Sequence, residues 1–482
     1  MNPLLYTDGY KVDHRRQYPD NTTLVYSNWT PRKSRIDGID EVVFYGLQYF
    51  IKKYIITDFD ENFFSQPKDL ICKTYARRIN SYLGDNNVGV QHIADLHDLG
   101  YLPICIKALP EGVSVPIRVP MFTLYNTKPE FFWLTNYFET LLSAMIWMPC
   151  TSATIAKQYR KILDQYAKET STIPEFVDWQ GHDFSMRGMP GLEAAVLSAS
   201  GHLLSFTGTD TIPSIDFLET YYNADSDNEL IGGSVAATEH SVMCMGTNIG
   251  EQDTFKRLIT EVYPNGIVSI VADTWDLWKV LTEYLPNLKH EVLARDGKVV
   301  IRPDSGNPVD IICGNPNGNT TEEQKGVIEL LWDTFGGHIN GKGYKTLDAH
   351  IGAIYGDSIT IERATQICER LKQKGFASTN IVLGIGSFTY QYNTRDTFGF
   401  AMKATYGEVN EQGREIFKDP ITDDGTKKSA KGLLKIIKEN ETYKLVDKVS
   451  WEEQQQGELR AVFKDGTLLI DDTLAAIRRR MK

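Results

Sequence analysis

VVIRPDSGNP, residues 299–308, is an apolar run that ends in a cation, a carboxylate and a turn. Three further segments have the same form: VSIVAD (268–273), AIYGDS (353–358) and IVLGIGS (381–387), each ending in small or charged residues and each followed by a helical pattern. Strand, polar tip, helix, repeated, is the grammar of a parallel β/α barrel, whose chemistry collects at the carboxyl ends of its strands. The predicted fold class is α/β with a TIM-like β/α barrel core, and the tips read as one site.

Helices fill the intervals. Thr274 is placed to cap a helix in which Trp275, Trp278, Leu281 and Leu285 recur until Pro286 ends it. Thr321 and Gln324 form a capping box before Val327, Leu330, Leu331 and Phe335, with Gly336 as the stop. Ser358 is placed to cap a third helix, whose Ile361, Ala364, Cys368 and Leu371 share a face up to Gly375.

Outside the barrel the pattern changes. Residues 100–127 alternate apolar residues with Pro and Gly, which predicts short antiparallel strands. The expected organisation is a mixed α+β domain over 1–150, a barrel over 151–400, and a segment over 401–482 that completes the first domain and the phosphate site. The most apolar stretch, FFWLTNYFETLLSAMIWMP (131–149), is interrupted by Asn136 and Glu139, so it reads as a buried helix stopped by Pro149 rather than a membrane span.

A chain of 482 residues, 41% hydrophobic and 24% charged, has room for two or three globular domains. Its net charge of −12 argues against a nucleic-acid partner, so phosphate binding must come from local clusters such as Arg32, Lys33 and Arg35, or Lys427, Lys428 and Lys431. The six cysteines contain no CxxC pair, and the first residues lack a secretory pattern; a reducing cytoplasm is expected.

Four constellations bear chemistry. Arg302 and Asp304, two apart, point to one side of an extended chain, where they make either a salt-bridged turn or a fork for a phosphate or carboxamide beside a carboxylate for ribose or metal. Gly356 with Asp357, and Gly384 to Ser387 followed by Arg395, offer glycine-rich anion sites at adjacent tips. His240 beside Glu239 is a base, a nucleophile or a plain surface residue. HDFSMRG (182–188) and FTGTDT (206–211) add a ring, a cation and an acid.

With TDGYKVDHRRQYP (7–19), VFYGLQY (43–49), AATEHS (236–241), TRD (394–396) and FKDP (417–420), these motifs span about 410 residues and resemble the nicotinamide phosphoribosyltransferases, type II phosphoribosyltransferases. The resemblance implies transfer of the phosphoribosyl group of phosphoribosyl pyrophosphate to nicotinamide by a homodimer with shared sites, without nucleic acid or membrane. It implies that Phe184 and the Tyr10 of a second copy sandwich the pyridine, with Asp210, Ser269 and Arg302 around the ring. Asp304 would hold the ribose; Gly356, Asp357, Gly386 and Ser387 the sugar phosphate; Arg187, Arg395, Lys427 and, from the second copy, Arg32 and Lys403, the phosphates. His240 would be phosphorylated by ATP, with Asp273 orienting it, and Mg2+ would accompany the departing pyrophosphate.

An anionic Asp210 accepts from an amide and repels an acid, which predicts nicotinamide over nicotinate. Nicotinate phosphoribosyltransferase is the nearest rival; a barrel aldolase or isomerase would need a Schiff-base lysine at a strand tip, and none of the four has one. A binding protein without activity is opposed by His240, Asp273, Arg302 and Asp304 occurring together. The chain departs from the family pattern at Ser387, Met186, Ala236 and Thr238, and by one extra residue before Lys427.

Overall fold

The computed structural model describes residues 1–246, 250–356, 358–417 and 430–482. The chain divides into two compact units, one of Met1–Thr154, Phe217–Asp225 and Asn393–Lys482, the other of Ile155–Asp216 and Ser226–Tyr392.

The second unit is built on the quoted runs. Its seven-stranded sheet runs in the order Gly208–Thr209, Gly181–Phe184, Ile381–Gly386, Ile351–Tyr355, Asp296–Arg302, Asn265–Val271, Ala236–Ala237. All neighbouring pairs are parallel. A parallel bridge from Gly208 to Gly233, with Gly233 N donating to Thr207 O at 2.8 Å and Thr209 N to Gly233 O at 3.0 Å, ties the two edges together. The sheet is thereby curled into the expected barrel-like core. Helices Thr321–Phe335 and Ile361–Gln373 cover it, burying Ala364, Ile367, Cys368 and Leu371.

Several helix ends differ from expectation because capping depends on backbone geometry rather than on residue type alone. Asp276, not Thr274, accepts from Lys279 N. Thr320, not Thr321, accepts from Glu323 N, and the helix that follows is broken at Gly326, with φ 77°. Thr360 caps the third helix, since Ser358 has a φ of 55°. Pro286 does not end its helix: Tyr284 and Leu285 keep right-handed helical dihedrals, and the helical run continues through Asn287. Pro149 likewise does not stop the helix Glu139–Thr170 that contains it. Interior proline costs about 3 kcal/mol, and packing opposes that cost: the ring sits over Gly46, where a Cβ would lie 2.7 Å from Pro149 Cγ.

The first unit holds a seven-stranded sheet in the order Gln412–Glu415, Ala401–Val409, Thr22–Thr30, Phe122–Asn126, Ile104–Ala108, Arg460–Lys464, Thr467–Leu468. The pairings are antiparallel, and residues from the end of the chain complete it through Ala401–Val409 and Arg460–Lys464. Its core includes buried Trp29 stacked on Phe400 and Phe122, ring centroids 5.5 and 6.1 Å away. Among the described residues no helix is long and apolar enough to cross a membrane.

Candidate active site

Strand alternation in the second unit opens a cavity of about 330 Å³. Lys298, Val300 and Arg302, every second residue of one strand, line it, as do Ile267 and Ser269 of the next strand and His182 and Phe184 across the sheet. A barrel of this size is ordinarily filled by branched side chains. Ala237, Gly352 and Ala353 stand on this lining instead and leave the space.

At the carboxyl end of the strands the cavity wall is polar. Asp210 Oδ1 accepts from His182 Nε2 at 2.9 Å and from Ser234 Oγ at 2.7 Å. Burial alone would raise the Asp210 pKa, but the His182 and Ser234 hydrogen bonds and the Arg302 charge outweigh it and hold the carboxyl below its ordinary value. The Arg302 guanidinium lies 5.3 Å from the Phe184 ring centroid. Its Nε, and Ser269 Oγ, are buried with no hydrogen-bond partner among the described residues. Unmade hydrogen bonds at buried donors cost about 1–3 kcal/mol each, so a ligand polar group is expected opposite them.

Asp183 is a contributor that the sequence reading missed. Fully buried, its carboxylate accepts from Ser185 N at 3.0 Å, Ser185 Oγ at 2.6 Å, Thr209 Oγ1 at 2.8 Å and Thr211 Oγ1 at 2.7 Å. It thus clips the end of the strand carrying Phe184 to the loop carrying Asp210. The signal lay in the two motifs: one acid in HDFS, two hydroxyls spaced two apart in TGTDT.

The neighbouring strand tips are joined by Asp273. Its Oδ2 accepts from Asp304 N at 2.9 Å and Ser305 Oγ at 2.6 Å, while Oδ1 faces His240 Nε2 at 3.3 Å. Burial raises this carboxyl too, and the Ser305, Asp304 and His240 contacts more than reverse it. His240 remains half-exposed. Asp304 lies 3.8 Å from Arg302. Both fit because Gly356 has no side chain: a Cβ there would come within 2.7 Å of Asp304 Oδ1 and 3.3 Å of Arg302 Nε. Gly384 is equally constrained: a Cβ there would stand 2.7 Å from Phe184 Cδ2. Ser387 packs on Gly188, beside exposed Arg187, and Gly386 precedes it. Asp357 and Lys427 lie outside the described residues.

Tyr10, Arg32, Arg395 and Lys403 belong to the first unit. Tyr10 is 61% exposed and meets His14 edge-on at 5.2 Å. Lys11 pairs with Glu139, from which Lys403 is 3.8 Å away. Arg32 Nε donates to Gly399 O at 3.1 Å, and Arg395 meets Asp396 at 3.1 Å. The Lys403 ammonium is shifted down by burial first, with Glu139 opposing and Arg32, Lys11 and Arg395 repelling it. Lys403 thus stands near three further cations, Lys11, Arg32 and Arg395, and such a cluster is a place for an anion. Lys11 was not anticipated, although it stands within TDGYK. Among the described residues no three His, Cys, Asp or Glu side chains gather as a metal site.

Residues 179–467 match the nicotinate phosphoribosyltransferase family, and residues 2–106 the N-terminal domain of nicotinamide phosphoribosyltransferase. A nicotinamide phosphoribosyltransferase of Acinetobacter baylyi is 53% identical over 493 residues, covering 100% of this chain and 97% of that protein. One of Mycoplasma pneumoniae is 40% identical, covering 90% and 95%. Among solved structures, nicotinate-nucleotide pyrophosphorylase of Pyrococcus furiosus shares the fold with a TM-score of 0.56 at 13% identity, covering 98% of this chain and 93% of that one. Human nicotinic acid phosphoribosyltransferase gives 0.54 at 14%, covering 98% and 92%. The chain belongs to the nicotinate phosphoribosyltransferase family and carries the N-terminal domain of the nicotinamide phosphoribosyltransferases.

Proposed function

We propose that the enzyme transfers the phosphoribosyl group of 5-phosphoribosyl 1-pyrophosphate to nicotinamide, giving nicotinamide mononucleotide and pyrophosphate in NAD salvage. The observation that carries this is the polar end of the cavity. A carboxamide presents two N–H donors and one carbonyl acceptor, and the wall offers one anionic acceptor, Asp210, beside two unpartnered donors, Ser269 Oγ and Arg302 Nε. Phe184 supplies a ring face beside them. An acid would set a second carboxylate against Asp210, which disfavours nicotinate.

In the reaction the pyridine nitrogen lone pair forms the bond to ribose C1 as the bond from C1 to the pyrophosphate oxygen breaks, the electron pair leaving with pyrophosphate. Charge builds on the sugar in an oxocarbenium-like manner. Asp304 is the carboxylate suited to the ribose, Gly356, Gly386 and Ser387 to the sugar phosphate, and Arg187, Arg395 and, from the second copy, Arg32 and Lys403 to the phosphates, with Asp357 and Lys427 as further candidates from the sequence. Mg2+ needs only one or two carboxylates when phosphates supply its other ligands; Asp304 fits that modest demand, and the ion would neutralise the leaving group.

ATP is read as a co-substrate that phosphorylates His240. With Nε2 engaged by Asp273, Nδ1 is the nitrogen left to attack the γ-phosphorus, the bond to ADP breaking as the new one forms. The working form is read as a homodimer in which Tyr10 of a second copy closes over the pyridine. Exposed apolar side chains around the strand tips, among them Ile212, Trp275, Phe388 and Tyr392, favour a covered surface there. Six free thiols suit a reducing cytoplasm.

The test is incubation with nicotinamide, phosphoribosyl pyrophosphate and Mg2+, with and without ATP, and detection of the mononucleotide by mass. No product would sink the reading. His240→Ala should lose the stimulation by ATP and keep the basal rate; equal loss of both would remove the phosphohistidine. Asp210→Asn should bring nicotinate turnover toward that of nicotinamide.

A further inference from the structure

Asp210 has two oxygens, and the structure treats them differently. Oδ1 carries both donors, His182 Nε2 at 2.9 Å and Ser234 Oγ at 2.7 Å. Oδ2 has no partner among the described residues, and Asp210 lines the cavity. The His182 ring is itself held from two sides. The Phe184 ring lies 4.5 Å away, tilted by 42°, and a Cβ on Gly208 would stand 2.6 Å from Nδ1, so that face is closed by backbone. His182 is 7% exposed, whereas Ser234 lies at the surface.

We infer that His182 and Ser234 are specificity-determining positioning residues: by saturating Oδ1 they fix the orientation of the Asp210 carboxylate and aim Oδ2 at the amide of the pyridine substrate. This rests on the reading of that substrate as a pyridine carboxamide. A carboxylate with both donors on one oxygen has one orientation and stays ionised in a half-buried wall. Without them it is free to rotate or take up a proton, and a protonated Asp210 donates to an acid as readily as it accepts from an amide. Selectivity against nicotinate therefore depends on two residues that need not touch the substituent themselves.

The experiment measures kcat and KM for nicotinamide and nicotinate in His182→Phe, His182→Gln, Ser234→Ala and each of these combined with Asp210→Asn, after confirming unchanged melting temperature. His182→Phe keeps the ring and removes the donor. It should cut the amide-to-acid ratio of kcat/KM about tenfold, in line with loss of a hydrogen bond to a charged group, chiefly by raising KM for nicotinamide. His182→Gln, which keeps a donor at similar reach, should restore most of the ratio. Ser234→Ala, on the exposed side where folding is not at risk, should give a smaller fall in the same direction. In the Asp210→Asn background neither change should move the ratio further. An unchanged ratio in both His182→Phe and Ser234→Ala, or an equal effect with Asp210 already replaced, would overturn the assignment. Wild-type enzyme that turns over nicotinate as well as nicotinamide would instead defeat the substrate reading on which it rests.

Discussion

At Glu111, burial and hydrogen bonding pull in opposite directions. Its carboxyl is enclosed in the first unit and pushed up to about 7 by desolvation, against donors from Gln48 N at 2.6 Å, Gly46 N at 3.0 Å and Tyr222 Oη at 3.0 Å. A folded-state value above the unfolded one means that the native state binds the proton more tightly. The associated stability is fully present below the unfolded value of 4.5 and is lost as pH rises toward about 7. At 1.36 kcal/mol per pH unit the difference is roughly 3 kcal/mol. Stability should therefore fall more steeply from pH 5 to pH 7.5 in the wild type than in Glu111→Gln, whose side chain does not titrate; parallel denaturation midpoints across that window would refute it. Nothing in the alternation of residues 100–127 singles out Glu111; only enclosure by residues 46–48 and 222 makes it an acid with a raised pKa.

At the scale of one element, the strand Ile381–Gly386 carries a constraint that its composition does not reveal. Gly384 has no room for a Cβ, which would stand 2.7 Å from Phe184 Cδ2 and 2.8 Å from Gly356 Cα. Gly384→Ala should tilt the Phe184 ring and raise KM for nicotinamide about tenfold or more, at a stability cost of about 1–3 kcal/mol for overpacking. Unchanged KM in a folded variant would mean that the ring face is dispensable. Alternation along Asp296–Arg302 was legible, since Arg302 and Val300 had to share a face; that Lys298 lies on the same cavity follows too. Helix starts were less legible, because Thr274, Thr321 and Ser358 are good capping types in the wrong backbone conformation or position.

For the whole molecule, the proposed exchange of Tyr10 between copies has a consequence that no single chain can imitate. Tyr10→Ala and Phe184→Ala homodimers should each be nearly inactive. A mixed dimer has one site with both lesions and one with neither, so random mixing should restore about a quarter of wild-type activity if the two rings come from different subunits. Light scattering should give a mass near twice 54.5 kDa. No recovery on mixing would place both rings in one chain.

What the sequence by itself determined is the alternation of apolar run, polar tip and helix, and with it the barrel and the side of the barrel on which chemistry collects. These are local properties, carried by periods of two and 3.6 residues and by glycine and proline. The motif HDFS and the motif TGTDT were visible too, as separate pieces. Only the tertiary structure decided that Asp183 clips them together, that His182 and Ser234 share one oxygen of Asp210, and that Asp273 joins His240 to Asp304. Those contacts join residues 24 to 33 positions apart along the chain, and their partners are set by strand order and by which faces the sheet leaves open. No spacing rule encodes that choice, because it is a property of the packed sheet.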